Sequence, residues 1–190
     1  MSTITNTNGA SRENSKGAIS VFLVDDDSMF LKSLEHHLQQ KLKHNFKIKS
    51  FPTGEVCLKN MEQKPDIVVL DYFLNGQDQH AMNGERVLQR IKLTYPATTV
   101  IMLSGQDKMQ VAVDSMRDGA FDYVVKNENV FLRTQNAIKN AVSALKMADQ
   151  IKTYHRLVWI LSVGITIVTI GSIIIHFFYN QVNEMFLITK

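Results

Sequence analysis

The stretch DIVVLDYF, residues Asp66 to Phe73, decides the fold of this chain. It is short, apolar on both faces and rich in Val and Ile, which is typical of the central strand of a parallel sheet with helices on both sides. The strand delivers one carboxylate, Asp71, at its carboxyl end, where open parallel sheets bind their ligands. A lone Asp more often ends a turn or caps a helix, so the interpretation of Asp71 depends on the rest of the chain.

Four further apolar runs alternate with amphipathic segments on either side of this strand. These additional predicted strands are Ile19 to Val24, Phe46 to Phe51, Thr98 to Ser104 and Ala120 to Lys126. The predicted helices are Ser28 to Lys43, Glu55 to Gln63, Glu85 to Leu93, Gln106 to Asp118 and a last one from Glu128. Either Asp27 or Ser28 can cap the first helix, and Gly119 is expected to end the fourth. The core-facing stripe of the first helix is Phe30, Leu31, Leu34, Leu38 and Leu42. Five strands alternating with five helices predict a doubly wound α/β domain with a parallel sheet and right-handed crossovers.

Composition excludes several classes of protein. The 190 residues are 45% hydrophobic, which is enough for the core of one domain with appendages. A net charge of +3, without a basic run that contains aromatic residues, argues against nucleic acid as a partner. Cys57 is the single cysteine, so one chain has neither a disulfide nor a cysteine zinc site. Residues 1–18 are too polar to form a core and are predicted to be disordered, and they lack the apolar segment of a secretory signal.

Polar residues follow four of the predicted strands at their carboxyl ends. They are Asp25 and Asp26, Asp71, Ser104 and Lys126. Each one alone could cap a helix or face solvent, but their convergence on one edge of a sheet predicts a functional site. Neighbouring carboxylates repel one another unless a cation lies among them. Because no His or Cys is near in sequence, this oxygen-rich set favours Mg²⁺ over zinc.

These residues lie in motifs that resemble the receiver domain of two-component response regulators. The resemblance rests on VDDD at 24–27, VVLD at 68–71, MLSG at 102–105 and DYVVK at 122–126, and it extends from Ile19 to Ala148. It implies a flavodoxin-like fold with strand order 2-1-3-4-5, in which the first and third strands lie side by side.

The resemblance also implies a role for each residue of the site. The implied roles are phosphoacceptor for Asp71, ligands of Mg²⁺ for Asp25, Asp26, Asp71 and the backbone carbonyl of Phe73, phosphoryl binding for Ser104 and Lys126, aromatic switch for Tyr123, and control of dephosphorylation for Phe73 and Gln106.

Three positions depart from the pattern of the family. The family usually has a Pro a few residues after its phosphoacceptor, but this chain has Asn75 and a longer loop to Gly84. A Pro in the cis form usually follows the Lys, but here Asn127 does. Phe73 is bulky and apolar at the position two residues after the phosphoacceptor. These departures bear on the contacts around the third helix and on the orientation of the Lys126 side chain.

A long apolar segment follows the predicted domain. Residues Leu157 to Tyr179 include no Asp, Glu, Lys or Arg, and about 20 apolar residues suffice to cross a bilayer. We therefore expect a helical stalk at 149–156, a transmembrane helix at 157–179 and a short tail at 180–190. Basic residues are more numerous before this span than after it, which predicts a single-pass protein of the cell inner membrane with a cytoplasmic receiver domain. The alternative is a buried helix in a soluble oligomer, and Gly164 and Gly171 leave a homodimer open.

The sequence therefore predicts a membrane-anchored, single-domain response regulator. It would accept a phosphoryl group on Asp71 from a histidine kinase or phosphotransfer protein, with Mg²⁺ as cofactor, and would signal through contacts with a downstream protein. Two rivals remain. One is a pseudo-receiver that never takes phosphate and serves as a membrane docking module. The other is a phosphohydrolase, but its usual second Asp is replaced by Phe73, so the chain is expected to be no enzyme beyond self-phosphorylation and slow autodephosphorylation.

Overall fold

The computed structural model describes residues 17–42, 45–74, 82–105 and 109–188, and within the last range it describes the side chains of residues 109–148 and 158–172. Over these described residues, five strands alternate with five α-helices. The strands are β1 (Ile19–Val24), β2 (Phe46–Phe51), β3 (Ile67–Asp71), β4 (Thr99–Ser104) and β5 (Asp122–Val125). The helices are α1 (Ser28–Lys41), α2 (Gly54–Asn60), α3 (Gly84–Thr94), α4 (Met109–Arg117) and α5 (Val130–Ile188), with a short 3-10 helix (Met61–Gln63) after α2.

The strands form one parallel sheet in the order β2-β1-β3-β4-β5, which confirms the predicted fold and strand order. All five residues of β3 are buried, as expected of a central strand with helices on both faces. In β2, exposed and half-buried residues alternate, which suits its place at the edge of the sheet. The register pairs Val24 with Leu70 and Asp71 with Leu103, so the carboxyl ends of β1, β3 and β4 meet at one edge.

Side chains at the helix starts explain why the helices begin where they do. The Asp27 carboxylate accepts hydrogen bonds from the backbone N–H groups of Met29 and Phe30 and thereby caps α1. The sequence left this cap open between Asp27 and Ser28. Thr53 and Asn83 cap α2 and α3 in the same way. Each cap satisfies backbone donors that have no partner within the helix, and so it fixes the first turn.

The core lies on both faces of the sheet. One buried cluster combines alternate residues of β1 and β3, such as Phe22 and Val68, with side chains from α2 and α3. The intervening residues, such as Val21 and Val69, point to the opposite face and are also buried. Cys57 belongs to the cluster, and burial raises the pKa of its thiol to about 12, so it serves as a small apolar side chain.

The observed boundaries differ from the predicted ones by a few residues at several helix ends. Helix α1 ends at Lys41, because the backbone of Leu42 is already extended. Helix α4 begins at Met109, and residues 106–108 lie outside the described part of the chain. Gly119 follows α4 with a φ of 96° and donates its N–H to Met116 O, as predicted for a glycine that ends a helix. Residues 1–16 and 75–81, which include most of the segment 1–18 predicted to be disordered and most of the longer loop, also lie outside it.

Contacts divide the chain into two units, Met1–Val142 and Ser143–Lys190. The second unit contains the segment predicted to cross a membrane, Leu157 to Tyr179. Within the described residues, no helix is long and apolar enough to do so, so this prediction is not confirmed. The side chains that are described there, at 158–172, are exposed apart from the half-buried Gly171. The predicted limits of stalk, span and tail stay predictions.

Candidate functional site

The carboxyl edge of the sheet brings together the polar residues that the sequence singled out. Asp25 and Asp26 follow β1, Asp71 ends β3, Ser104 ends β4 and Lys126 follows β5. Asp25, Asp71 and Ser104 are almost completely buried, at 2%, 3% and 0% exposure. Buried carboxylates are costly unless they are paired or bind a cation, so their position here indicates a site and not a solvated surface.

Three carboxylates of this site could hold a metal ion. One oxygen from each of Asp25, Asp26 and Asp71 lies within 4.8 Å of the other two. Mg²⁺ binds oxygen at about 2.1 Å, so ligands on opposite sides of the ion are about 4.2 Å apart, and a small contraction or one bridging water closes the difference. Three carboxylates and the Lys126 ammonium leave two formal negative charges, which a divalent cation balances. The residues present therefore fit Mg²⁺.

The Lys126 ammonium lies between two of these acids. Its Nζ is 2.6 Å from Asp25 Oδ2 and 2.9 Å from Asp71 Oδ1. Lys126 donates a hydrogen bond to Asp25 and forms an ion pair with Asp71. The backbone of Lys126 is fixed to the neighbouring strand, because its N–H donates to Ser104 O at 2.7 Å. Lys126 therefore faces the predicted phosphoacceptor directly.

Burial dominates the electrostatics of the acids. Desolvation raises the pKa of Asp71 to about 6, although the nearby Lys126 charge opposes this shift. Desolvation also raises the pKa of Asp25, against the same lysine. Burial alone would lower the pKa of Lys126, but the charges of Asp71 and Asp25 outweigh it and raise that pKa. At neutral pH the site therefore holds an ionised but poorly solvated Asp71 beside a charged lysine.

The remaining predicted residues occupy the surroundings of this centre. Tyr123 is half-buried on β5 and packs against the core cluster. Phe73 is 38% exposed, and its ring meets the edge of the Tyr72 ring at 4.8 Å between centroids. Gln106 lies outside the described residues. Asn127 builds the turn into α5, since its side-chain oxygen accepts the N–H of Asn129 at 3.1 Å.

Sequence reasoning missed the role of Phe30. It assigned this residue to the core-facing stripe of α1, but Phe30 is only half-buried and its ring centroid lies 4.7 Å from Lys126 Nζ. This distance is within the range of a cation–π contact. A signal was present in the position of Phe30 in the first turn of α1, directly after the aspartates, where a helical residue lies near the carboxyl edge of the sheet.

Gly84 is a second missed residue, and it supports the backbone at the phosphoacceptor. Its N–H donates to Tyr72 O at 2.9 Å. A Cβ atom at this position would lie 2.0 Å from Asp71 O and 2.8 Å from Tyr72 Cα. A larger residue therefore cannot fit without moving the strand end that carries Asp71. The signal in the sequence is a glycine at the first position of a predicted helix, next to the capping residue Asn83.

Comparison with known proteins identifies the region that contains this site. The family model described as response regulator receiver domain matches residues 21–143. An NtrX-like response regulator of Rickettsia conorii is 31% identical over 112 residues, which cover 58% of this chain and 22% of that protein. The transcriptional regulatory protein AfsQ1 of Streptomyces coelicolor is 33% identical over 108 residues, 56% of this chain and 44% of its own length. The chain thus spans less than half the length of these relatives.

Solved structures show the same architecture. The BeF3-activated receiver domain of DrrB, from Thermotoga maritima, superposes with a TM-score of 0.57 at 31% identity, over 66% of this chain and 98% of that domain. The signal receiver domain of a LuxO-type repressor protein from Vibrio parahaemolyticus superposes with a TM-score of 0.62 over 70% of this chain and 97% of that one. At 24% identity, this second likeness concerns the fold alone.

Proposed function

The chain belongs to the response regulator receiver domain family, and from this we propose that Asp71 accepts a phosphoryl group from a histidine kinase or phosphotransfer protein. The observation that carries this proposal is the meeting of Asp25, Asp26 and Asp71 with the Lys126 ammonium at one buried edge of the sheet. A site that only stabilised the fold would not need three carboxylates with unbalanced charge, because apolar side chains of similar size would cost less.

The side chains of the site supply a nucleophile and partners for the incoming charge. An ionised Asp71 oxygen attacks phosphorus, the bond from phosphorus to the donor breaks, and the donor leaves with that electron pair. The product is an acyl phosphate on Asp71. Lys126 Nζ lies 2.9 Å from Asp71 Oδ1 in the unphosphorylated site. After transfer it is close enough to pair with a phosphoryl oxygen instead of that carboxylate oxygen. Asp25, Asp26 and Asp71 would hold Mg²⁺, with the Phe73 carbonyl as a further ligand by resemblance, and bound Mg²⁺ would neutralise charge on the phosphoryl oxygens.

The new phosphoryl group would then bias the structure around it. It presents strong acceptor oxygens to Ser104, the last residue of β4, and to Lys126 after β5. Tyr123 lies three residues before Lys126 on β5 and would respond as the aromatic switch. We infer that the output is a contact with another protein. AfsQ1 is named as a transcriptional regulatory protein, but the small net charge of +3 of this chain favours a protein over a nucleic acid as its partner.

Intact mass spectrometry tests the proposal. The full-length chain in mild detergent is incubated with Mg²⁺ and a small phosphodonor, beside an Asp71→Asn variant whose folding is checked by circular dichroism. We expect the wild type to gain the mass of one phosphoryl group and the folded variant to gain none. Wild type that stays unmodified would instead support the pseudo-receiver, in which the domain docks without taking phosphate.

The second unit supports a proposal about location. We infer that residues 157–179 anchor the protein in the cell inner membrane, with the receiver domain on the cytoplasmic side. The described side chains from Val158 to Ile170 are exposed and mostly apolar. The hydroxyls of Thr166 and Thr169 donate to carbonyl oxygens of their own helix at 2.8 Å, which suits surroundings without water. Gly164 and Gly171 leave room for a second copy of this helix.

Membrane fractionation tests this proposal. The full-length chain should sediment with membranes and resist carbonate extraction, whereas a chain ending at Gln150 should remain in the supernatant. Recovery of the full-length chain in the supernatant without detergent would favour a soluble oligomer that buries the apolar helix.

The phosphorylated state should be long-lived. Hydrolysis requires a water held in line with the bond from Asp71 to phosphorus. By resemblance to the family, Phe73 and Gln106 flank the path of this water. The Phe73 ring can neither donate nor accept a hydrogen bond, and it is partly exposed beside the site. We therefore infer slow autodephosphorylation and no further enzyme activity.

A further inference from the structure

An aromatic ring lies against the ammonium group of Lys126. The centroid of the Phe30 ring is 4.7 Å from Lys126 Nζ, on the same ammonium that contacts Asp25 and Asp71 at 2.6 Å and 2.9 Å. The two acids are partners that Lys126 must share or give up when a phosphoryl group and a cation arrive. The ring of Phe30 is a neutral partner, so its attraction for the ammonium persists through that exchange.

The side chain of Lys126 needs such a partner, because its backbone alone does not determine where the ammonium lies. The backbone is held by the bond from Lys126 N–H to Ser104 O, but a flexible four-carbon stem separates it from Nζ. Where the family usually has a Pro after this Lys, the chain has Asn127, whose side chain is used for the turn into α5. A ring beside Nζ restricts the positions that the ammonium can adopt.

The Phe30 ring is itself held in place by the packing of α1 against α5. Its backbone N–H donates to the capping carboxylate of Asp27 at 3.0 Å. The ring of Phe30 contacts the ring of Phe131 on α5, with 5.6 Å between their centroids. On its other contact, the Phe131 ring lies 5.6 Å, centroid to centroid, from the ring of His37 on α1. His37 Nε2 lies 3.2 Å from Oε1 of the buried Gln135. These contacts fix the orientation of the ring that faces Lys126.

We propose that Phe30 is a positioning residue for phosphoryl transfer, which keeps the Lys126 ammonium beside Asp71 while Lys126 exchanges carboxylate oxygens for phosphoryl oxygens. The inference rests on the proposed function and adds a residue that the sequence motifs do not include. A preorganised ammonium costs less reorganisation in the transition state than one that must be recruited from a mobile stem. Loss of the ring should therefore slow phosphorylation without removing the nucleophile.

The test compares phosphorylation rates of the full-length chain in mild detergent, with Mg²⁺ and a small phosphodonor. Phe30→Leu removes the ring but keeps an apolar side chain against Phe131, and we expect phosphorylation to slow by about tenfold. Phe30→Tyr keeps the ring and should restore a rate close to that of the wild type. Phe121→Leu is the matched control, because Phe121 is also partly exposed but lies before the amino end of β5, away from Lys126, and its rate should be unchanged.

A second readout follows the contact itself. In wild type with isotope-labelled lysine, the ring current of Phe30 should shift the NMR signals of the Lys126 methylene groups near Nζ, and Phe30→Leu but not Phe121→Leu should remove this shift. Equal rates for wild type and Phe30→Leu would overturn the inference. So would a Phe30→Tyr variant as slow as Phe30→Leu, since packing and not the ring would then matter. Wild type that takes no phosphate at all would instead defeat the proposed function.

Discussion

Replacing the phosphoacceptor with a neutral isostere should stabilise the domain at neutral pH. Burial raises the pKa of Asp71 from 3.8 to about 6, so the folded state retains a proton that the unfolded state loses between these values. Stability contributed by the protonated carboxyl is therefore present below about pH 4 and is lost as the pH rises through about pH 6. A shift of about 2 pKa units corresponds to about 3 kcal/mol. Asp71→Asn should recover about this amount at neutral pH and almost none near pH 4.

Denaturant unfolding in the presence of a chelator measures this difference. Wild type and Asp71→Asn are unfolded with urea at about pH 7.5 and about pH 4, followed by circular dichroism, with the full-length chain in mild detergent. The account predicts a more stable variant at the higher pH and a gap that closes at the lower one. Added Mg²⁺ should also narrow the gap at the higher pH, because it stabilises the ionised wild type. A variant that is less stable than wild type at about pH 7.5 would refute the reasoning, since Asp71 would then be a net stabilising charge.

Three further predictions concern the neighbours of this carboxylate. Gly84→Ala should destabilise the domain by about 3 kcal/mol in urea unfolding, because the new Cβ would lie 2.0 Å from Asp71 O. Gly105→Ala is the control and should change stability little, because no atom lies within 4 Å of its Cβ. Equal losses of stability in the two variants would contradict this prediction. Mg²⁺ should raise the melting temperature of the wild type in a concentration-dependent and chelator-reversible manner. It should raise the melting temperature of Asp25→Asn much less, and an equal rise in both proteins would place the ion elsewhere. Phosphorylated Phe73→Asn should lose phosphate faster than phosphorylated wild type in magnesium buffer, and equal decay would show that Phe73 does not shield the bond.

The sheet could be predicted because each strand carries a signal of its own. Runs such as IVVL in β3 are apolar on both faces, which only a doubly covered strand requires, and polar residues mark the carboxyl ends of four of the five predicted strands. Helix ends were harder, because a cap depends on backbone angles that are not visible in residue type. Asp27 and Ser28 are both good caps by composition, and the structure selects Asp27.

The members of the site could be predicted, but not their mutual contacts. Parallel strands bring their carboxyl ends to one edge, so Asp25, Asp71 and Lys126 had to lie near one another. The pairing of Lys126 with both acids, and the raised pKa of Asp71, depend on burial that a sequence does not display. Phe30 was misassigned because helical periodicity cannot separate a core position from one at the edge of a site.

Identification of the modified residue is the most direct test of the central claim. The full-length chain is phosphorylated with a small phosphodonor and Mg²⁺, digested, and mapped by mass spectrometry under conditions that preserve acyl phosphates. The account predicts one phosphoryl group on the peptide that contains Asp71, and its loss when a chelator replaces Mg²⁺. Phosphate on another residue, such as His36 or His37 of α1, or a stable chain that remains unmodified, would contradict it.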